Sequence, residues 1–157
     1  MDFSAFEGRK APKFSLLDKD GKAHSLSEFQ EEYVVVFFYP KDNTPGCTIE
    51  TKGFDALGPE FSRAGIRVVG ISGGNEKSKG KFCDKYGFQV LLLSDTDFEV
   101  SKAYGVYGEK KFMGRTFSGI HRVTFVIDSG RKVLKVFGKV KPGKHPHEVL
   151  DYILGLA

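Results

Sequence analysis

The sequence predicts an α/β protein with a mixed central β-sheet flanked by helices. Three short apolar runs, "YVVVFFYP", "GIRVVGIS" and "VLLLSD", alternate along the chain with longer polar stretches of helical character. Continuous apolar runs of this length, rich in β-branched and aromatic residues, are typical of strands that are covered on both faces. Because the 157 residues show no repeat and no break in composition, we expect a single domain over residues 1–157.

The first half of the chain is predicted to hold a hairpin, two buried strands and three helices. The segment "APKFSLLDKDGKAHSLSEF" indicates an N-terminal β-hairpin with "DKDG" as its turn, and "YVVVFFYP" is the first buried strand. Residues 46–64 read as two successive helices, because glycine and proline at 58 and 59 interrupt the helical pattern. A second strand is predicted over residues 65–72, followed by a helix from Asn75, a good N-cap, to Gly87.

The second half continues the alternation. "VLLLSD" is a third short strand, "DFEVSKAYGV" a short helix, and "RVTFVIDSGRKVLKVFG" a strand, a turn and a second strand. The tail "HPHEVLDYILGLA" is an amphipathic helix, with Val149, Leu150, Ile153 and Leu154 at helical spacing.

Composition narrows the classes of function. The net charge is +4, but 24 basic residues are interspersed with 20 acidic ones and no basic run exceeds two residues, so we expect no nucleic-acid partner. The start "MDFSAFEGRKAPKF" lacks the apolar core of a signal peptide and no run has the length of a membrane span, which predicts a cytoplasmic protein without a membrane partner. Two cysteines do not make a disulfide scaffold; in a reducing compartment they are catalytic, redox-active or simply buried.

Cys47 lies where an α/β protein usually binds its ligands, in the loop after a buried strand and near the first turn of a helix. The dipoles and free N–H groups of a helix N-terminus favour a thiolate. Lowering a thiol pKa from about 8.5 to about 6 raises the thiolate fraction at pH 7 about thirtyfold. Enzymes typically accelerate reactions about a million-fold or more, so a catalytic Cys47 also needs donors that place the substrate and stabilise its charge.

Three residues are candidates for placing the substrate and stabilising its charge beside Cys47. Thr44 offers a hydroxyl, and Glu50 falls on the same helical face as Cys47. An unpaired carboxylate would raise the thiol pKa, so Glu50 requires a cation beside it. Arg122, which opens the apolar stretch "RVTFVID", is the candidate partner and could bridge the carboxylate and the thiolate.

The segment around Cys47 resembles a known family. "PKDNTPGC" matches Pro-x-x-x-Thr-x-x-Cys, the signature of the peroxiredoxins, and "PGCTIE" and "GIHRVTFVID" are similar to the Q-type, or bacterioferritin-comigratory, subgroup. The resemblance covers nearly the whole chain. It implies a thioredoxin-like fold and a monomeric cysteine peroxidase, without metal or cofactor, that acts on hydrogen peroxide and organic hydroperoxides.

The resemblance also implies roles for individual residues. Cys47 would be the peroxidatic nucleophile, which attacks the O–O bond and becomes a sulfenic acid. Thr44 and Arg122 would bind the peroxide and stabilise the thiolate, Pro40 would shield the pocket, and Glu50 would orient Arg122.

The second cysteine departs from the commonest pattern of the subgroup. Many members have it five residues after the first, where this chain has Lys52; the remaining thiol is Cys83, 36 residues after Cys47 on another predicted helix. Cys83 is either a small buried residue or, as we favour, the resolving thiol that forms an intramolecular disulfide. A disulfide requires Cα atoms within about 7 Å. We therefore expect one or both helices to unwind locally on oxidation, eased by glycines 53, 58, 80 and 87.

The four histidines suggest no metal site, and "GISGGNEKSKG" lacks the pattern of a phosphate-binding loop. The leading hypothesis is a peroxidase recycled by thioredoxin or a similar dithiol. The alternatives are a one-cysteine peroxidase resolved by an external thiol, and a non-catalytic thioredoxin-like module that senses oxidation.

Overall fold

The computed structural model describes residues 3–156. Its strands are β1 (Ser15–Leu17), β2 (Ala23–Ser25), β3 (Tyr33–Phe38), β4 (Ile66–Ser72), β5 (Leu91–Ser94), β6 (Tyr107–Phe112), β7 (Arg115–Ile120), β8 (Val123–Asp128) and β9 (Val133–Phe137). Its α-helices are α1 (Pro45–Ala56), α2 (Gly58–Arg63), α3 (Glu76–Tyr86), α4 (Glu99–Ala103) and α5 (His145–Leu154). Short 3-10 helices occupy Ser4–Phe6 and Leu26–Glu28.

The main sheet has seven strands in the order β2-β1-β5-β4-β3-β8-β9. Strands β3, β4 and β5 are parallel, whereas β8 pairs antiparallel with β3 and β9 antiparallel with β8. On the other side, β1 pairs antiparallel with β5 and with β2. The predicted mixed sheet is therefore confirmed, with the run "YVVVFFYP" as an interior strand between β4 and β8.

Strand β3 separates two hydrophobic cores because its side chains alternate between the two faces of the sheet. Val34, Val36 and Phe38 belong to a cluster with residues of the N-terminal segment, β8 and the region around α4. Val35 and Phe37 point the other way, into a cluster built with α1, α2, α3 and α5. Both cysteines lie in this second cluster. Burial on both faces explains why β3 is apolar throughout rather than alternating.

Most of the predicted elements are confirmed. The N-terminal hairpin, the break between α1 and α2, and the β8–β9 hairpin are present. Helix α3 begins after Asn75, whose side chain accepts a hydrogen bond from the Ser78 amide, and ends at Gly87 in the left-handed conformation. The tail helix is confirmed as α5, although its predicted last residue, Ala157, lies outside the described residues, as do Met1 and Asp2.

A hairpin that the sequence did not predict precedes β8. Strands β6 and β7 form a separate two-stranded sheet, and the turn between them places Met113 and Gly114 at positive φ. A two-residue turn of this kind usually carries Asn-Gly or Asp-Gly, and the strand residues here are largely charged and exposed. Both ordinary signals for a hairpin are therefore missing from this segment.

The pairing of β3 with β8 positions the site. Phe38, the last residue of β3, is opposite Val123, the first residue of β8. The loop after β3 and the residue before β8 therefore lie at the same edge of the sheet. Cys47 follows the loop after β3, and Arg122 is the residue before β8.

None of the helices within residues 3–156 combines the length and apolar character that crossing a membrane requires.

Packing of α1 against α5 leaves no room at Gly53, where an added Cβ would lie 2.6 Å from Cγ of Pro146. We expect Gly53→Ala to lower the free energy of unfolding by about 1–3 kcal/mol, because overpacking outweighs the better helix propensity of alanine. Gly58→Ala is the matched control, since its Cβ would meet no atom within 4 Å. Urea unfolding measures both; a Gly53 variant as stable as the native chain would contradict this packing.

Candidate active site

Cys47 is the third residue of α1, directly after Thr44 as N-cap and Pro45 and Gly46 in the first turn. Proline suits the first helical position because its missing N–H has no acceptor there in any case. The Cys47 thiol is free and its residue is only 1% exposed. The first N–H groups of a helix have no intrahelical acceptor, so the backbone here can bind an anion or a polar ligand next to the sulfur.

Arg122 joins Cys47 to Glu50. Its Nη2 donates to Cys47 Sγ at 3.4 Å and its Nη1 donates to Glu50 Oε1 at 2.8 Å. The bridging contact expected from the sequence is therefore present, although Arg122 follows Cys47 by 75 residues in the chain. A guanidinium is always charged and presents several donors in a plane, so it can hold the carboxylate with one nitrogen and a thiolate with another.

Glu50 is completely buried. Burial raises the pKa of its carboxyl to about 7, although the adjacent positive charge of Arg122 acts in the opposite direction. Within the described part of the chain, Oε2 has no hydrogen-bond partner, whereas Oε1 is bound by Arg122. The carboxylate is thus held at an energetic cost against the guanidinium that also contacts the Cys47 thiol.

Thr44 and Pro40 lie in the loop that leads to α1, and both are partly buried. The Thr44 hydroxyl donates to the Lys41 carbonyl at 2.8 Å. In this conformation its proton is engaged, so the hydroxyl offers a ligand an acceptor rather than a donor. The expectation that Thr44 stabilises the thiolate stays a prediction, as does shielding by Pro40.

Two residues near the thiol were missed by the sequence reasoning. An added Cβ at Gly46 would lie 3.0 Å from Nη2 of Arg122, so a larger residue there would push the guanidinium away. Lys110, on the unpredicted strand β6, donates to the Ile120 carbonyl at 2.9 Å. Burial, and then the positive charge of Arg122, lower the pKa of Lys110. Glycine at the second position of a helix was the available signal for Gly46; nothing in the sequence marked Lys110.

Cys83 is a free, buried thiol on α3. Burial raises the pKa of its thiol. Cys83 and residues 54–56 of the last turn of α1 line one cavity of about 810 Å³. Cys47 lies seven residues before Phe54, which is about 10 Å along a helix axis. In the described conformation, Cys83 therefore shares a cavity with the turn of α1 that is farthest from Cys47.

Two of the four histidines, His145 and His121, make hydrogen bonds to other parts of the chain. His145 begins α5 and is buried between Thr124 and Glu148, with ring nitrogens 2.7 and 3.0 Å from their side-chain oxygens. His121 makes a 3.1 Å hydrogen bond to the Glu109 carbonyl. Within residues 3–156, no group of three or more His, Cys, Asp or Glu side chains is arranged to hold a metal ion.

Comparison with known proteins gives consistent matches over nearly the whole chain. Residues 8–136 match the model of the AhpC/TSA family. Peroxiredoxin Bcp of Escherichia coli K12 is 43% identical over 146 residues, which cover 93% of this chain and 94% of the relative.

Two solved structures from Xanthomonas campestris are similar. Peroxiredoxin Q superposes with a TM-score of 0.84 at 37% identity, covering 90% of both chains. A bacterioferritin comigratory protein studied for alkyl peroxide reduction superposes with a TM-score of 0.85 at 36% identity, covering 91% of both. The thioredoxin-like architecture expected from the resemblance is thus confirmed.

The raised pKa of Glu50 predicts an unusual dependence of stability on pH. The unfolded carboxyl titrates near 4.5 and the folded one near 7. Between these values the folded chain holds a proton that the unfolded chain has lost, so this contribution to stability falls as pH rises through the window. Well above pH 7, where the folded carboxyl is also ionised, the raised pKa lowers the free energy of unfolding by about 3 kcal/mol.

Glu50→Gln removes this titration. We expect the free energy of unfolding of the variant, relative to that of the native chain, to increase by up to about 3 kcal/mol as the pH is raised from 5 to 8. Urea unfolding at both pH values measures the change, and Glu99→Gln, at an exposed carboxylate, is the matched control. A difference between variant and native chain that is the same at both pH values would contradict the raised pKa.

Proposed function

The chain belongs to the AhpC/TSA family and is a peroxiredoxin, an enzyme that reduces peroxides with a cysteine thiol, and from this premise we propose that Cys47 is its nucleophile and Cys83 its resolving thiol. The single observation that carries the proposal is the Arg122 guanidinium, which contacts Cys47 Sγ and Glu50 together at the start of α1. A guanidinium in this place stabilises the thiolate and is available to a bound peroxide.

The first step is a displacement on oxygen. The Cys47 thiolate attacks one peroxide oxygen, an S–O bond forms and the O–O bond breaks. The sulfur is oxidised to a sulfenic acid, and the departing oxygen leaves as alkoxide or hydroxide and takes up a proton to become an alcohol or water. Arg122 and the free N–H groups of the first turn of α1 stabilise the charge on the departing oxygen, and the Thr44 hydroxyl accepts a hydrogen bond from the peroxide.

Glu50 acts through Arg122 and not on the substrate. Its carboxylate holds Nη1, which leaves Nη2 directed at the sulfur. Pro40, in the loop before α1, limits the access of water to the thiol. Hydrogen peroxide and organic hydroperoxides are the proposed substrates, in keeping with the alkyl peroxide reduction studied in the Xanthomonas campestris relative.

The second step is proposed to join the two cysteines. Cys83 sulfur attacks the sulfenic sulfur of Cys47, an S–S bond forms, the S–O bond breaks, and hydroxide leaves with the Cys83 proton as water. Burial raises the pKa of Cys83 and so favours its protonated form, and the thiol lines the same cavity as the last turn of α1. Unwinding of α3 or α1 brings the sulfur within reach and into water, where a thiolate forms more readily.

The remaining parts of the cycle are external. Thioredoxin or a similar dithiol is the proposed reductant of the disulfide, and the cytoplasm is the proposed compartment. Because both thiols belong to one chain, the two oxidative steps need no second copy, and a monomer is the proposed state.

Replacement of Cys83 tests the resolving role. We expect Cys83→Ser to reduce one equivalent of hydrogen peroxide at the native rate and then stall with thioredoxin, thioredoxin reductase and NADPH, because no disulfide is formed for thioredoxin to reduce. NADPH consumption after the first turnover is the measurement. Sustained turnover by the variant would favour the one-cysteine peroxidase, and oxidation of the native chain without turnover would favour the redox sensor.

Stiffening α3 tests the proposed unwinding. Gly80 is in the interior of α3, and an added Cβ would meet no atom within 4 Å. Gly80→Ala should therefore stabilise the helix by about 0.5–1 kcal/mol. We expect disulfide formation to slow by a factor of about two to five.

Rapid-quench mass spectrometry follows the disulfide, and Lys81→Ala, an exposed neighbour on the same helix, is the control. A Gly80 variant with a raised melting temperature and an unchanged rate of disulfide formation would contradict unwinding of α3.

A further inference from the structure

A buried ion pair lies between the loop before Cys47 and the helix that carries Cys83. Lys79 Nζ donates to Asp42 Oδ2 at 3.0 Å, and the two side chains are 0% and 4% exposed. Asp42 is five residues before Cys47, in the β3–α1 loop, and Lys79 is four residues before Cys83, on the same face of α3. Each cysteine is therefore linked through a short piece of backbone to one half of the pair.

The pair is part of a larger hydrogen-bond network. Asp42 also accepts hydrogen bonds from the hydroxyls of Tyr39 at 2.6 Å, Ser78 at 2.6 Å and Ser72 at 3.3 Å. Lys79 donates further to Ser72 Oγ at 2.7 Å and to a backbone carbonyl, that of residue 74, at 3.0 Å. The network thus joins the ends of β3 and β4, the active-site loop and α3.

The surroundings make the network specific to these two elements. Burial raises the pKa of Tyr39 well above its usual value, so its hydroxyl stays protonated and donates to Asp42. A side chain at Gly74 would collide with the Asp42 carboxylate and with Ser78. This explains one of the glycines in the segment "GISGGNEKSKG". A second contact between loop and helix is made at Asn43, whose Oδ1 accepts from Tyr86 at 3.1 Å.

We infer that Asp42 and Lys79 are a positioning pair that holds the β3–α1 loop in the arrangement that reduces peroxide and that separates before Cys83 reaches Cys47. The inference rests on the proposed function of the two cysteines. Unwinding α3 moves Lys79 with Cys83, because the two are one helical turn apart. Loss of the contact leaves the charges of Asp42 and Lys79 without their partners. The free-energy cost of this loss sets how often α3 opens.

The pair therefore acts in opposite directions on the two steps of the cycle. Lys79→Met keeps the length and apolar stem of the side chain and removes the charge. We expect the variant to react with hydrogen peroxide at least about fivefold more slowly, measured with Cys83→Ser also present, because the loop is no longer held. With Cys83 present, we expect disulfide formation to become at least about fivefold faster and overoxidation to sulfinic acid at excess peroxide to fall, because α3 opens more easily.

Matched variants separate this effect from a general loss of stability. Lys81→Met removes an exposed charge from the same helix, and Val133→Ala creates a cavity on the opposite face of the sheet. We expect neither variant to change the rate of reaction with peroxide or the rate of disulfide formation. Asp42→Asn should resemble Lys79→Met, and the double variant should show less than the product of the two single effects, because both remove one interaction. Should Lys79→Met fail to fold, Ser78→Ala removes one 2.6 Å hydrogen bond from the same carboxylate and should shift both rates about twofold in the same directions.

The outcomes also distinguish this inference from the proposed function. A native chain whose Cys47 does not react would overturn both, and a native chain that reacts but forms no disulfide would overturn the resolving role of Cys83 and the second half of the inference. If the native chain completes both steps and the Asp42, Lys79 and Ser78 variants match it in each rate, the inference alone is wrong. Slower peroxide reaction together with faster disulfide formation, absent from Lys81→Met and Val133→Ala, supports it.

Discussion

The antiparallel pairing of β3 with β8 is the constraint on which the site depends. It places Phe38 opposite Val123, so the loop that leads to Cys47 and the residue that precedes β8 meet at one edge of the sheet. Arg122 needs no long reach to contact the thiol, and the glycine at position 46 leaves space for the guanidinium, which an added Cβ would approach to 3.0 Å. A slip of one residue in this pairing would turn every side chain of β8 to the other face and remove the arginine from the thiol.

Charge is buried around this edge at a cost to stability. Glu50 has a raised pKa and one carboxylate oxygen without a partner within the described residues, and Lys79 is fully buried against Asp42. Buried ion pairs rarely add stability over apolar packing of the same volume, so their presence calls for another explanation. We propose that Glu50 orients Arg122 and that Lys79 controls the helix that carries Cys83. Both groups favour a particular arrangement of the site over the most stable fold.

The sequence predicted the features that have local signals. Continuous apolar runs identified β3, β4 and β5, and Asn75 and Gly87 bounded α3. Glu50 and Arg122 could be paired because a carboxylate near a thiolate requires a cation. The β6–β7 hairpin was missed, since its strands are polar and its turn contains Met113. Lys79 was missed because a lysine in a charged helix is normally exposed; its place on the Phe82 and Cys83 face was the signal, but its partner Asp42 is 37 residues away in the chain.

We propose that one molecule completes the oxidative half of the cycle with Cys47 and Cys83. Intact mass after one equivalent of hydrogen peroxide, on the native chain and on Cys83→Ser, tests it most directly. We expect a loss of about two daltons from the native chain, for disulfide formation, and a gain of about sixteen daltons in the variant, for oxygen added at Cys47. Oxygen addition in both would contradict the resolving role of Cys83, and no reaction in either would contradict the assignment of Cys47 as the nucleophile.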